Sequence, residues 1–438
     1  MRRGHSYAFN YPILNTKRIL INVGITMKTV MILAVNFPPI GGVGVIRTLK
    51  FVKYLPLFGW EPIVVTLPKR SKRIIDDSLL NEIPPTTEIH RPFFFDYRKI
   101  IRGEITRFIY PIDKKFNFPD RYVQWNHFAF KYIKDKILSK KKIDIIYTSV
   151  GPHSTLLLTH KLKQYFNIPF VIDFRDPFSF GQYSILDSKL NWSNRARQIE
   201  QSIFRDADHI VNVTRVWKEK YEKLYPEIAE KSTLIHNGYD EEDFQDFIKK
   251  RNEIFTVGYN GTFSRIVPIE PLISAIIEIH KKEKVSIKLN IATPIKLSKL
   301  KSKYSYLFQN GLIDYKGFLP YKKSLKILYE SDAAILILND IPATEGQIPA
   351  KTFEYLRINS PIMLLYKKGS SLSRLIEETG TGFTVNIKDH DEIVNGLLNL
   401  YKNWKNGKQE YNPNREEIKK YERKYLTQKI SNIFNMLV

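Results

Sequence analysis

The strongest constraint in this chain is a pattern it runs twice: an apolar strand, a glycine-bearing turn, then an amphipathic helix. Thr29 to Val35 is a continuous apolar run, as a strand buried on both faces requires. Asn36-Phe-Pro-Pro-Ile-Gly-Gly-Val-Gly44 follows, and helical spacing then carries Arg47, Leu49, Phe51, Val52 and Leu55. Further strands are predicted at Glu61 to Thr66, Ile143 to Thr148, Pro169 to Asp176 with its exit loop, and Asp208 to Val213. The pattern restarts at Phe255 to Tyr259 with Asn260-Gly-Thr-Phe263, followed by apolar segments at Ser286 to Ala292, Leu312 to Tyr315, Ala333 to Leu338 and Pro361 to Leu365. Strands alternating with helices predict an α/β fold with parallel sheets. Two such runs predict two doubly wound, Rossmann-like domains facing across a cleft.

Length agrees, since 438 residues exceed what one core holds and suit two domains of roughly 200 each. The expected division is an extension over 1–26, a first domain over 27–230, a second over 231–415 and a terminal helix over 416–438. Met27 stands directly before the first strand, which points to a mis-set start. In the last segment Ile418, Tyr421, Tyr425, Leu426, Ile430, Ile433, Phe434 and Leu437 recur at helical spacing. That predicts one amphipathic helix packed back on the first domain.

Composition removes several kinds of chemistry. The chain has no cysteine, which excludes disulfides, thiolate metal sites and thiol nucleophiles and favours a cytoplasmic setting. No apolar run approaches the ~20 residues of a membrane-spanning helix. Nucleophile-elbow, Walker and His-Glu-x-x-His motifs are missing. A net charge of +24 calls for an anionic partner. An anionic membrane surface is favoured, because no nucleic-acid-binding signature is present. Between Arg91 and Lys140, Phe93, Phe94, Phe95, Tyr97, Phe108, Tyr110, Phe116, Phe118 and Trp125 interleave with Arg98, Lys99, Arg102 and other basic residues, without regular periodicity. A peripheral place on the inner face of the cytoplasmic membrane is the expectation that follows.

Several residues invite chemical readings. Gly41, Gly42 and Gly44 let backbone approach a ligand at a strand's carboxyl end. Glu354 sits at the start of a predicted helix within Pro349-Ala-Lys-Thr-Phe-Glu-Tyr-Leu356, where a carboxylate can accept both hydroxyls of a ribose. The same helix start offers N–H groups to phosphate oxygens. Asp173, Arg175 and Asp176 form an acid-base-acid cluster that reads as an internal ion-pair lock or as a substrate contact. His153 follows a Gly-Pro turn at another strand end.

Together these pieces carry a resemblance. With Phe118-Pro-Asp120, Thr148-Ser-Val-Gly-Pro-His153, Asp173-Phe-Arg-Asp-Pro177, His236-Asn-Gly-Tyr-Asp240 and Gly317-Phe-Leu-Pro320, the chain resembles a family 4-type glycosyltransferase of the GT-B fold from Met27 to Val438. The resemblance implies retaining, metal-independent transfer of a sugar from a nucleotide diphosphate to a glycan or lipid-linked acceptor, in building surface polysaccharide. No cofactor is implied. It places His153 near the transferred sugar and the Gly41 loop between acceptor and donor phosphates. Gly261 with Arg265 resembles the segment that meets the diphosphate, and Lys351 is a second cation for charge building on the leaving group. The family's paired glutamates are altered here: Glu354 fits the second, while the first falls on Gly346, with Glu345 one residue early. That departure keeps open a silent GT-B scaffold serving as a membrane-docked assembly module. A sugar-nucleotide epimerase of the same fold would need acid-base residues that are not evident.

Overall fold

The structure is a computed structural model that describes residues 27–69, 74–95, 117–180, 192–407 and 411–438. The expected extension over 1–26, and Tyr97, Arg98, Lys99, Arg102, Phe108, Tyr110 and Phe116, lie outside the described residues. Two parallel sheets organise the rest. The first has the order β3-β2-β1-β4-β5-β6-β7, with β1 (Lys28–Leu33), β2 (Trp60–Val65), β3 (Glu88–His90), β4 (Ile145–Val150), β5 (Phe170–Phe174), β6 (His209–Asn212) and β7 (Ser232–Leu234). The second has the order β10-β9-β8-β11-β12-β13, with β8 (Thr256–Asn260), β9 (Lys288–Ala292), β10 (Ile313–Gly317), β11 (Ala333–Ile337), β12 (Ile362–Tyr366) and β13 (Gly382–Asn386). These are two doubly wound, Rossmann-like sheets, as the repeated pattern predicts. By packing, the chain divides into two compact units: Met1–Asp173, Asp206–Ile210 and Thr427–Val438 in one, Phe174–Arg205 and Val211–Leu426 in the other.

The apolar runs form central strands because a parallel strand covered on both faces needs apolar side chains pointing both ways. In β11, Ala333, Ile335 and Ile337 enter one core with Val257, Ile291, Met363 and the helix Glu270–Lys282. Ala334, Leu336 and Leu338 enter the opposite core with Leu364, Phe353, Leu356 and Ile376. Registers are regular: Val30 lies opposite Ile145 and Leu33 opposite Thr148, while Ala334 lies opposite Ile362.

The terminal segment differs from the single helix expected. It forms two helices, Arg415–Lys419 and Arg423–Leu437. The break has a visible cause. The Tyr421 carbonyl accepts from the Tyr239 N–H at 3.1 Å, and the Arg423 N–H donates to the Tyr239 carbonyl at 2.7 Å. Backbone groups that a continuous helix would keep are given to Tyr239 instead. Farther on, Phe434 packs edge-on against Trp60 with ring centroids 5.2 Å apart.

Candidate functional site

Strand order fixes where ligand-binding loops gather. In each sheet, successive strands are added in opposite directions from one point, between β1 and β4 in the first and between β8 and β11 in the second. Open α/β sheets bind ligands outside the carboxyl ends of the strands at such a point. The Gly41 loop leaves β1 and His153 follows β4, so both stand at the switch point of the first sheet. Gly261 leaves β8, and the segment through Glu345 and Lys351 follows β11, at the switch point of the second.

In the first unit, Gly42 starts the helix Val43–Tyr54 with φ of 100°, and a Cβ added there would meet nothing within 4 Å. Its bare backbone therefore borders open space. Gly41 has another reason to be glycine, because a Cβ would come within 3.1 Å of Ile74 and 3.2 Å of Asp76. Gly44 is the second residue of the same helix and is half-buried. His153 is buried, at 4% exposure, at the N-cap of the helix Ser154–Phe166. The cap hydrogen bond is supplied by Asp120, whose Oδ2 accepts from the Ser154 N–H at 2.9 Å while Oδ1 accepts from the Tyr122 N–H at 3.0 Å. Burial, the largest influence, raises the pKa of Asp120, and these backbone donors oppose it. Asp120 thus fixes the loop bearing His153 and leaves the imidazole out of the capping role. The Phe118-Pro-Asp120 motif contains this residue, but its role is visible only in the fold.

Asp173 departs from the expected cluster. It lies inside β5, while Arg175 and Asp176 follow the end of that strand. Its partner is Arg47: Nε donates to Oδ2 at 2.6 Å and Nη2 to Oδ1 at 2.9 Å, and the Tyr147 hydroxyl also donates to Oδ2. Arg47 is 2% exposed and Asp173 fully buried. This is an internal lock, made with a residue 126 positions away rather than with its neighbour. Asp176 has its pKa raised by burial, against the pull of Arg175.

The second unit assembles a cationic corner. Gly261 has φ of 132°, and a Cβ there would stand 3.5 Å from Lys351 Nζ. Lys351 Nζ donates to the Asn260 carbonyl at 3.0 Å and lies 4.5 Å from the Tyr259 ring centroid and 5.8 Å from that of Tyr355. Burial lowers its pKa to about 8, only partly opposed by Glu354. Glu354 Oε1 accepts from the Tyr321 hydroxyl at 2.8 Å. Glu354, Lys351 and Gly261 are therefore brought together around the carboxyl end of β8. The helix that bears the first two is only Lys351–Arg357, so side chains rather than an extended dipole define the corner. Arg265 is exposed on the same loop, and its carbonyl accepts from Asn339 Nδ2 at 2.8 Å.

The altered acidic position stands apart. Glu345 has a side chain 72% exposed, 3.7 Å from Lys220, and its carbonyl accepts from Trp217 Nε1 at 3.0 Å. Gly346 has φ of 70°, and a Cβ would fall 2.8 Å from Val216 Cβ. Only glycine satisfies both conditions, so no side chain can point from position 346.

Residues 40–243 match the family described as Glycosyltransferase Family 4. The chain carries a family 4 glycosyltransferase domain. Its fold is that of sucrose-phosphate synthase from Thermosynechococcus elongatus, with TM-score 0.65 and 14% identity over 94% of this chain and 99% of that one. A glycosyltransferase from Rickettsia africae ESF-5 aligns with TM-score 0.64 and 14% identity over 94% and 98% of the two chains. S. aureus TarM, in complex with fondaparinux, alpha-GlcNAc-glycerol and UDP, gives 0.62 and 11% over 93% and 100%. No curated protein sequence matches the glycosyltransferase significantly.

Proposed function

We propose that this glycosyltransferase moves a sugar from a nucleoside-diphosphate donor to a glycan or lipid-linked acceptor, with retention and without a metal, in surface polysaccharide synthesis. The observation that carries the donor side is the convergence of Gly261, Lys351 and Glu354 at the switch point of the second sheet. The Glu354 carboxylate accepts the ribose hydroxyls, with Tyr321 holding one of its oxygens. Bare backbone at Gly261 lets the diphosphate close on Lys351, whose ammonium meets the charge that develops as the glycosidic bond breaks. Arg265 reaches the diphosphate from solvent. The TarM complex contains UDP, which is consistent with such a donor. At the first sheet, the Gly42 backbone and His153 face the acceptor and the transferred sugar.

The test is Glu354→Ala, assayed in excess EDTA with a panel of nucleotide sugars. Removing a charged acceptor weakens donor binding by ~1.5–3 kcal/mol, roughly 10- to 150-fold, with the fold intact by circular dichroism. Wild-type donor affinity in the variant would take Glu354 out of the site. One observation favours a second reading, a scaffold without turnover: Gly346 cannot carry the missing acid, and Glu345 stands exposed beside Lys220. Slow donor hydrolysis by the wild type rejects that reading, and its absence for every donor supports it.

Docking on an anionic membrane belongs to the same proposal. Phe93, Phe95 and Phe128 are 61%, 53% and 41% exposed, and Phe93 stacks edge-on with Phe128 at 5.3 Å. Tyr165 is 65% exposed beside Lys161, which covers Phe130 at 4.3 Å. Rings and cations so placed insert and adsorb together. In liposome flotation the protein is expected to float with anionic vesicles, less as salt rises, and less again as Phe93→Ser/Phe95→Ser. Retention in the soluble fraction whatever the lipid would refute docking.

A further inference from the structure

The second unit holds a cavity of about 610 Å³ away from the donor corner. Phe255, Asp332 and Pro361 line it and directly precede β8, β11 and β12, while Gly382 opens β13. The strands are parallel, so this is the amino-terminal edge of the sheet. Gly261 and Lys351 stand at the opposite edge.

Three consecutive cations, Lys249, Lys250 and Arg251, line the wall. None forms an ion pair among the described residues. Lys249 Nζ donates to the Ser331 carbonyl and Ser360 Oγ, both neutral, which leaves one of its three protons for another acceptor. Burial holds its pKa down to about 8, with Asp332 and Glu330 opposing from farther off. Asp332 is already engaged inside, accepting from the Thr256 N–H at 2.9 Å and from Asn252 Nδ2 at 3.1 Å. Arg251 lies 5.5 Å from the Trp404 ring centroid and donates to the Trp404 carbonyl at 3.4 Å. A desolvated cation is normally balanced by an anion, and among the described residues the acid that lines the wall, Asp332, acts on Lys249 only from beyond ion-pair distance.

The polar groups of the wall add a second requirement. Asn399 and Asn403 line it with side-chain amides, each of which can donate and accept, as ligand hydroxyls require. The volume is that of a small-molecule site.

We propose that this cavity is a second ligand site, which takes a small phosphorylated carbohydrate with its phosphate on Lys249, Lys250 and Arg251 and its hydroxyls on Asn399 and Asn403. The site is independent of the donor corner, so its test stands apart from the transferase reading. Isothermal titration of the full chain with glucose 6-phosphate, glucose and inorganic phosphate, each with and without saturating UDP, decides it. Glucose 6-phosphate binds one per chain, undisturbed by UDP. Inorganic phosphate binds at least ~10-fold more weakly, and glucose gives no heat. Lys250 and Arg251 are exposed, so Lys250→Glu/Arg251→Glu keeps the fold; it weakens glucose 6-phosphate by at least ~10-fold and leaves UDP affinity unchanged. Lys249→Met abolishes binding if it folds, and the exposed pair decides if it does not. No heat from either phosphate, displacement by UDP, or unchanged binding in the double variant would overturn the site. Inorganic phosphate binding as tightly as glucose 6-phosphate would overturn its carbohydrate half.

Discussion

Arg47→Met is expected to destabilise the first unit by ~3–5 kcal/mol, because it strands the Asp173 carboxylate inside the protein. Arg47 meets Asp173 through two hydrogen bonds of 2.6 and 2.9 Å, with both side chains buried. Burial works against the charge on Arg47, but Asp173 and Tyr147 outweigh it and leave its pKa above the ordinary value. Arg47 therefore stays cationic, and losing it leaves the buried Asp173 carboxylate without its partner. For a domain of this size the loss corresponds to a fall of ~6–20 °C in Tm, measurable by calorimetry or urea titration. Asp173→Leu in the Arg47→Met background should recover much of the stability, since an apolar pair of similar volume removes both desolvation costs. If Arg47→Met leaves the urea midpoint unchanged, the pair is not a lock and Asp173 must be reconsidered as a substrate contact.

The same lock shows where sequence reading stops. Apolar runs such as Thr29 to Val35 and Ala333 to Leu338 announce central strands, because burial on both faces leaves no room for polar alternation. The strands that escaped, β3, β7 and β13, are all at sheet edges. β3 and β7 are three residues each, and β13 reads Gly-Phe-Thr-Val-Asn with two of its five residues buried. A short strand solvated on one side has no continuous apolar signature. Charged residues were legible as candidates, but their partners were not. Periodicity reports which face a residue occupies; it cannot say that Asp173 would turn to Arg47 rather than to Arg175, or that Asp120 would cap the helix behind His153. Lys351 reaches the Asn260 carbonyl across 91 positions for the same reason. The broken terminal helix belongs here too, since its spacing was helical throughout and only the pairing with Tyr239 interrupts it.

Lys351 gives the prediction that separates binding from stability. With its pKa lowered to about 8, it is mostly cationic at pH 7 and only about one-tenth charged at pH 9. Affinity for UDP is therefore expected to fall as pH rises through 8, because the diphosphate loses its cation. Folding stability should move the other way. The unfolded chain carries Lys351 at its ordinary pKa of 10.5, so between about 8 and 10.5 it binds more protons than the folded chain, and stability rises with pH across that window. Lys249, also held near 8, adds to the stability trend but not to the loss of UDP. Lys351→Met should then weaken UDP at pH 7 by ~1.5–3 kcal/mol, roughly 10- to 150-fold, and flatten the pH dependence of what remains. The fold should survive, since methionine fills the same slot between Tyr259 and Tyr355 without a charge to desolvate. Calorimetric titration with UDP from pH 6.5 to 9.5, on wild type and variant, reads both effects. A wild-type profile flat through pH 8, or a variant that keeps the slope, would take Lys351 away from the diphosphate and leave that charge to Arg265.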